Sequence, residues 1–131
     1  MKSNDKGEIA QLKTELRALE KGYVVSRPLS TARYDLIVDD GLRLFRVQVK
    51  YGDGKAPHTD NSVRVSLNYT TRSKQEKTYT VDEVDAFAIY VPRLNEVLWF
   101  SSQELVGKTK IQIPVTDRIK SDSIIWQDHV W

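Results

Sequence analysis

A strand, a tight turn and a second strand between residues 34 and 51 restrict the fold more than any other feature of this chain. Tyr34-Asp35-Leu36-Ile37-Val38 is a β-branched, apolar run, Asp39-Asp40-Gly41 is a turn signal, and Leu42 to Tyr51 resumes as a strand, so a β-hairpin is expected. Side chains alternate along Arg43 to Lys50, which places Phe45, Val47 and Val49 on one face and Arg46, Gln48 and Lys50 on the other. Asp35 takes the face opposite to Tyr34 and Leu36, and closure of the hairpin can bring it beside Gln48. An aspartate, an amide and an ammonium thus converge. A carboxylate among apolar neighbours is costly unless it is paired, hydrogen-bonded or bound to metal. Two readings follow: an Asp35–Lys50 ion pair that holds the hairpin, or a binding site.

Other elements surround this hairpin. Asp5 followed by Glu8 has the form of a capping box, and Ile9, Leu12, Leu16 and Leu19 form a helical apolar stripe behind it, so a helix is expected over about residues 5–21 with Gly22 as its stop. Tyr23-Val24-Val25 begins a strand that Pro28 ends. The Gly-, Asp- and Lys-rich segment from Gly52 to Asn61 reads as a loop, and the alternation of Val63, Val65, Leu67 and Tyr69 predicts a third strand of the hairpin sheet. A short helical turn at Thr80 to Glu83, strands at Phe87 to Val91 and Val97 to Ser101, a short helix at Ser102 to Val106 and a strand at Lys110 to Val115 complete the pattern. One domain over 1–131 is expected, its apolar segment 107–131, with Trp126 and Trp131, capping the core or serving assembly.

The longest apolar runs fall far short of the roughly 18 residues that cross a bilayer, so no membrane partner is expected. Residues 1–7 are polar and resemble no secretory signal. The absence of cysteine removes disulfides, thiolate zinc sites and a Cys nucleophile, and fits a reducing, cytoplasmic location. What is left is hard-metal or metal-free chemistry.

The net charge of +2 hides an asymmetry. Residues 1–40 carry seven Lys/Arg against seven Asp/Glu, residues 41–79 eight against three, and residues 80–131 five against eight. A basic central block would attract a polyanion at physiological salt, although a solvated basic face has the same composition.

The order of these residues resembles the PD-(D/E)XK nuclease superfamily: an acid-bearing helix, a strand aspartate, then an acidic or amide residue, any residue and lysine. Here it reads Lys6-Gly7-Glu8-Ile9-Ala10-Gln11, then Arg33-Tyr34-Asp35-Leu36, then Val47-Gln48-Val49-Lys50. The glutamine at position 48 and Val84-Asp85-Ala86-Phe87-Ala88-Ile89-Tyr90-Val91-Pro92 are similar to the subgroup of small group I intron homing endonucleases of cyanobacterial type. The resemblance implies an α/β fold with an N-terminal helix packed on a central mixed β-sheet. It also implies a Mg²⁺- or Mn²⁺-dependent DNA endonuclease. Asp35 and the Gln48 side-chain oxygen would lie near the metal, with the Val49 carbonyl as a further ligand and Lys50 beside the attacking water.

Gln11 departs from the pattern, because nucleases of this type that start with Lys-Gly commonly carry the helix glutamate there. At about 100° per residue, positions 8, 11 and 15 lie on one flank of the apolar stripe, so Glu8 and Glu15 are the possible substitutes. Either Glu8 takes over the metal contact and a catalytic role, or Gln11 blocks cleavage while DNA stays bound. For double-stranded DNA, the expected contacts are Arg64, Ser66 and Asn68 on one strand face, the basic stretch with Arg72, Lys74 and Lys77, and Arg46 and Lys55 near the cut. His58 is given no catalytic role. Double-strand cleavage by a protomer with one site calls for a homodimer or homotetramer. The alternatives are a Holliday-junction resolvase and an inactive DNA-binding module.

Overall fold

The expected hairpin forms in the computed structural model, which describes residues 1–116 and 123–131. Its strands are β2 (Leu36–Asp39) and β3 (Leu44–Tyr51), each starting two residues later than the sequence pattern suggests. The turn accounts for the later start of β3. Asp39 accepts from the Gly41 N–H at 2.8 Å and Asp40 from the Leu42 and Arg43 N–H groups at 2.9 Å, which draws these residues out of the ladder.

Helix α1 (Ser3–Glu20) precedes β1 (Val24–Ser26). After the hairpin come β4 (Gly54–Lys55), β5 (Ser62–Ser66), β6 (Asn68–Thr70), β7 (Glu76–Thr78), β8 (Ala86–Val91), β9 (Glu96–Ser101) and β10 (Lys110–Pro114). Single 3₁₀ turns lie at Gln103–Leu105 and Trp126–His129. Strands β1-β2-β3-β8-β9 form a mixed sheet in which only β3 and β8 run parallel. All six residues of β8 are buried, which suits a strand covered on both faces.

The segment around Val63 does not extend the hairpin sheet. It is β5, the centre of a second sheet ordered β10-β5-β4, and β3 takes β8 as its other neighbour. Alternation fixes which side chains point inward but not which strand lies alongside. Val63, Val65, Ile111 and Ile113 pack on Phe87, Ile89, Leu98 and Phe100 from one face of the main sheet. Ala10 of α1 covers Leu36, Val38, Val47, Val49, Ala88 and Tyr90 on the other. Gly54 is required where β4 meets β5, since a Cβ there would lie 2.2 Å from the Arg64 carbonyl oxygen.

The helix also departs from the expectation. No side chain caps its N-terminus, Asp5 sits inside the first turn, and Gly22, at φ +79°, ends it in a Schellman arrangement with Tyr23 N–H on the Ala18 carbonyl. Its fully buried residues are Ala10, Thr14 and Ala18, whereas Leu12, Leu16 and Leu19 are 52%, 54% and 61% exposed. The sheet face is already filled by large side chains, so a close helix needs small residues against it. Thr14 returns its hydroxyl to the Ala10 carbonyl at 2.8 Å. Among the described residues, no helix is long and apolar enough to cross a membrane.

The described end of the chain folds back. Trp131 stacks on Trp99 with ring centroids 4.6 Å apart, and Trp126 packs against the second-sheet core. Residues 117–122 of the apolar ending lie outside the described residues.

Asp85, just before β8, locks the central parallel pair. Its carboxylate accepts from the Arg46 backbone N–H at 2.8 Å and from the guanidinium at 3.0 and 3.1 Å, and its own N–H donates to the Arg46 carbonyl at 2.8 Å. The hydrogen bonds from Arg46 hold the Asp85 carboxyl below the usual carboxylate range. A depressed folded pKa stabilises above the ordinary value and loses that effect as pH falls. Asp85→Asn is therefore expected to lower unfolding free energy by about 1–2 kcal/mol at neutral pH. In urea titrations the difference from wild type should shrink below about pH 4.

Candidate active site

Strand β2 stops pairing with β3 at Leu36, and this divergence creates the site. The Asp35 N–H still reaches the Val47 carbonyl at 2.8 Å, but at Val49 the ladder has no β2 backbone left. The Asp35 carboxylate takes its place, accepting the Val49 N–H at 2.9 Å. A residue's N–H and C=O lie on the same edge of a strand, so the Val49 carbonyl also opens into this fork. Its contact there is the Gln48 side-chain amide at 3.5 Å.

Gln48 and Lys50 lie in register with Phe87 and Ile89 and so share the face that looks toward the second sheet. The Lys50 ammonium donates to the Asn68 carbonyl at 3.3 Å and lies 5.3 Å from the centre of the Tyr79 ring. Among the described residues, no ion pair within 4 Å joins Lys50 to Asp35, so the hairpin is not held by one.

Burial sets the electrostatics. It pushes the Asp35 carboxyl above the usual carboxylate range, against the opposing pull of the Val49 N–H, Lys50 and Arg27. It pushes the Lys50 ammonium down, with Asp35 pulling the other way. The Tyr79 phenol is pushed up to about 12 by burial and by the Asp35 charge, so it stays neutral. Both groups are thus partly desolvated and bonded to backbone alone, Asp35 to the Val49 N–H and Lys50 to the Asn68 carbonyl, with no opposite charge paired to either among the described residues, an environment typical of functional sites.

From α1, the Gln11 amide donates to the Asp35 carbonyl at 3.4 Å. Glu8 does not join this group. Arg27, after β1, holds Glu8 at 3.2 Å and Glu15 at 2.6 Å, and these bonds raise the guanidinium pKa further. The available donors are therefore one carboxylate, at Asp35, and two neutral oxygens, at Gln48 and Val49. Hard oxygens of this kind suit Mg²⁺ or Mn²⁺, with most of the coordination shell left to water. Among the described residues, no group of three or more Asp, Glu or His side chains forms a denser cation site.

The expected DNA contacts separate into three kinds. Arg72 and Lys74 lie in the turn between β6 and β7, and Lys77 lies in β7; all three are exposed or nearly so. Lys74 adopts φ +62° at the tip of this turn. Arg64 and Ser66 share the outer face of β5, Asn68 opens β6 after the break at Leu67, and Lys55 stands exposed in β4. Arg46 is different: its guanidinium is engaged by Asp85 and by the Asp82 and Val81 carbonyls, so it is a structural clasp. Two participants escaped the sequence reading, Arg27 and Tyr79. Each is distant in the chain from the group it touches and belongs to no local pattern.

The family model described as PD-(D/E)XK endonuclease matches residues 1–129. The structure of the bacterial homing endonuclease I-Ssp6803I is similar with a TM-score of 0.83 and 27% identity, over 99% of this chain and 89% of that one. The Holliday junction resolvase Hjc of Archaeoglobus fulgidus shares the fold, with a TM-score of 0.53 and 14% identity over 83% of this chain and 84% of that one. No curated protein matches. A strand aspartate, a Gln-Val-Lys strand and a helix laid on a mixed sheet, together with the match along almost the whole chain, make this chain a member of the PD-(D/E)XK endonuclease family.

Proposed function

We propose that the chain is a metal-dependent endonuclease of homing type that hydrolyses both strands of a specific duplex DNA. The observation that carries this reading is the fork at Asp35 and Val49, which keeps a carboxylate and the Lys50 ammonium desolvated beside each other without pairing them. Asp35, the Gln48 side-chain oxygen and the Val49 carbonyl would hold Mg²⁺ or Mn²⁺. Bound there, the ion supplies a water of lowered pKa and screens charge on the phosphate. Lys50 adds a fixed positive charge where negative charge grows in the transition state. Gln11 holds the Asp35 backbone, and Glu8 would reach the cation only on release from Arg27.

Likeness to a homing endonuclease along nearly the whole chain supports duplex DNA as the substrate. Arg72, Lys74 and Lys77 would take the phosphate backbone, with Lys55, Arg64, Ser66 and Asn68 beside them. Cutting both strands would use a homodimer or homotetramer, and the described apolar ending offers Ile125 and Val130 as partly exposed contacts. One observation favours a second reading, a DNA-binding module that does not cut: position 11 brings an uncharged amide to Asp35, and Glu8 is bound to Arg27.

Cleavage of duplexes recovered from a random pool separates these readings. With Mg²⁺ or Mn²⁺, the wild-type protein is expected to cut a bound duplex in preference to a four-way junction. Lys50→Ala and Asp35→Asn should keep affinity and cut at least ~10²-fold more slowly. Equal cutting by either variant removes the role given to that residue. Gln11→Glu should lower the Mg²⁺ concentration needed for half-maximal cutting. No cutting by wild type, restored in this variant, would mark the module reading as correct.

Salt dependence locates the DNA. Arg72→Ala and Lys74→Ala are each expected to reduce the slope of log affinity against log salt by about one. An unchanged slope, measured by fluorescence anisotropy, would place the duplex on another face.

A further inference from the structure

The ribbon formed by β6 and β7 belongs to neither sheet. It is a two-stranded unit, and such a unit has little stability of its own in water. Its seat depends on what its base touches. Tyr69, in β6, and Tyr79, just after β7, lie 4.9 Å apart between ring centres, and Tyr79 meets Phe87 of the core edge-on at 5.7 Å. Each tyrosine receives a cation from one of the two segments that build the site. Arg33, two residues before Asp35, lies 4.3 Å from the centre of the Tyr69 ring, and Lys50 lies 5.3 Å from that of Tyr79. The Lys50 ammonium also donates to the Asn68 carbonyl, at the first residue of the ribbon. The far end of the same ribbon carries Arg72 and Lys74.

We propose that this ribbon is a positioning arm for Lys50: the Tyr79 ring and the Asn68 carbonyl hold the ammonium in place, and a polyanion gripped at the basic tip steadies that hold. The inference rests on the nuclease reading and deepens it, with Tyr79 as a positioning residue. The Tyr79 phenol stays neutral, so it acts on Lys50 through the face of its ring, a contact that phenylalanine reproduces and leucine does not. The Asn68 carbonyl alone leaves the long lysine chain free to rotate about that single bond.

Two readouts test this. The first does not need cleavage: ring current from Tyr79 should displace the Lys50 ε-methylene protons upfield. The resonance is identified by its loss in Lys50→Met. The displacement should persist in Tyr79→Phe and vanish in Tyr79→Leu. The second is single-turnover cutting of saturating duplex, expected to slow roughly tenfold in Tyr79→Leu at unchanged affinity and to be restored in Tyr79→Phe. An undisplaced Lys50 resonance in the wild-type protein overturns the proposal even if Tyr79→Leu does not fold. Wild-type cutting speed in a folded Tyr79→Leu protein overturns it as well. A wild-type protein that cuts nothing defeats the nuclease reading instead, and the resonance still decides whether the ribbon holds Lys50.

Discussion

The hydrogen bond from the Val49 N–H to the Asp35 carboxylate organises the site. Strand β2 leaves β3 at the Leu36–Val47 pair, two residues before Val49, and an unpaired N–H at Val49 would be a costly orphan. A side-chain carboxylate satisfies it and at the same time is brought into a half-buried fork. The bond helps keep Asp35 ionisable there, against a burial that favours its protonated form. A carboxylate and two neutral oxygens are thus gathered where two strands part, with no special loop.

The surrounding architecture holds this fork on two sides. Small residues bring α1 close to the sheet and carry Gln11 to the Asp35 backbone. The Asp85–Arg46 clasp fixes β3 beside β8, so Gln48 and Lys50 have a defined face. The β6–β7 ribbon, which pairs with neither sheet, joins the basic tip to the lysine.

Much of this is legible in the sequence. The period of two along Arg43 to Lys50 placed Gln48 and Lys50 on one face, and the Asp-Asp-Gly turn placed Asp35 opposite them, because hairpin register is a local property. The buried face of α1 was not legible: the spacing of Ile9, Leu12, Leu16 and Leu19 is that of a helical stripe, yet the sheet's bulk selects Ala10, Thr14 and Ala18. Membership of β5 in a second sheet, the engagement of Arg46 by Asp85 and the capture of Glu8 by Arg27 were equally hidden. Each joins residues distant in the chain, where pattern carries no information about the partner.

Titration of the ¹⁵N-labelled protein with Mg²⁺, followed through the backbone amide of Val49, tests the fork most directly. Saturable shifts centred on Val49, Gln48 and Asp35, and their loss in Asp35→Asn, are expected if these groups hold the cation. Shifts confined to other residues, or an Asp35→Asn protein that responds as wild type does, would contradict the placement of the active site between β2 and β3.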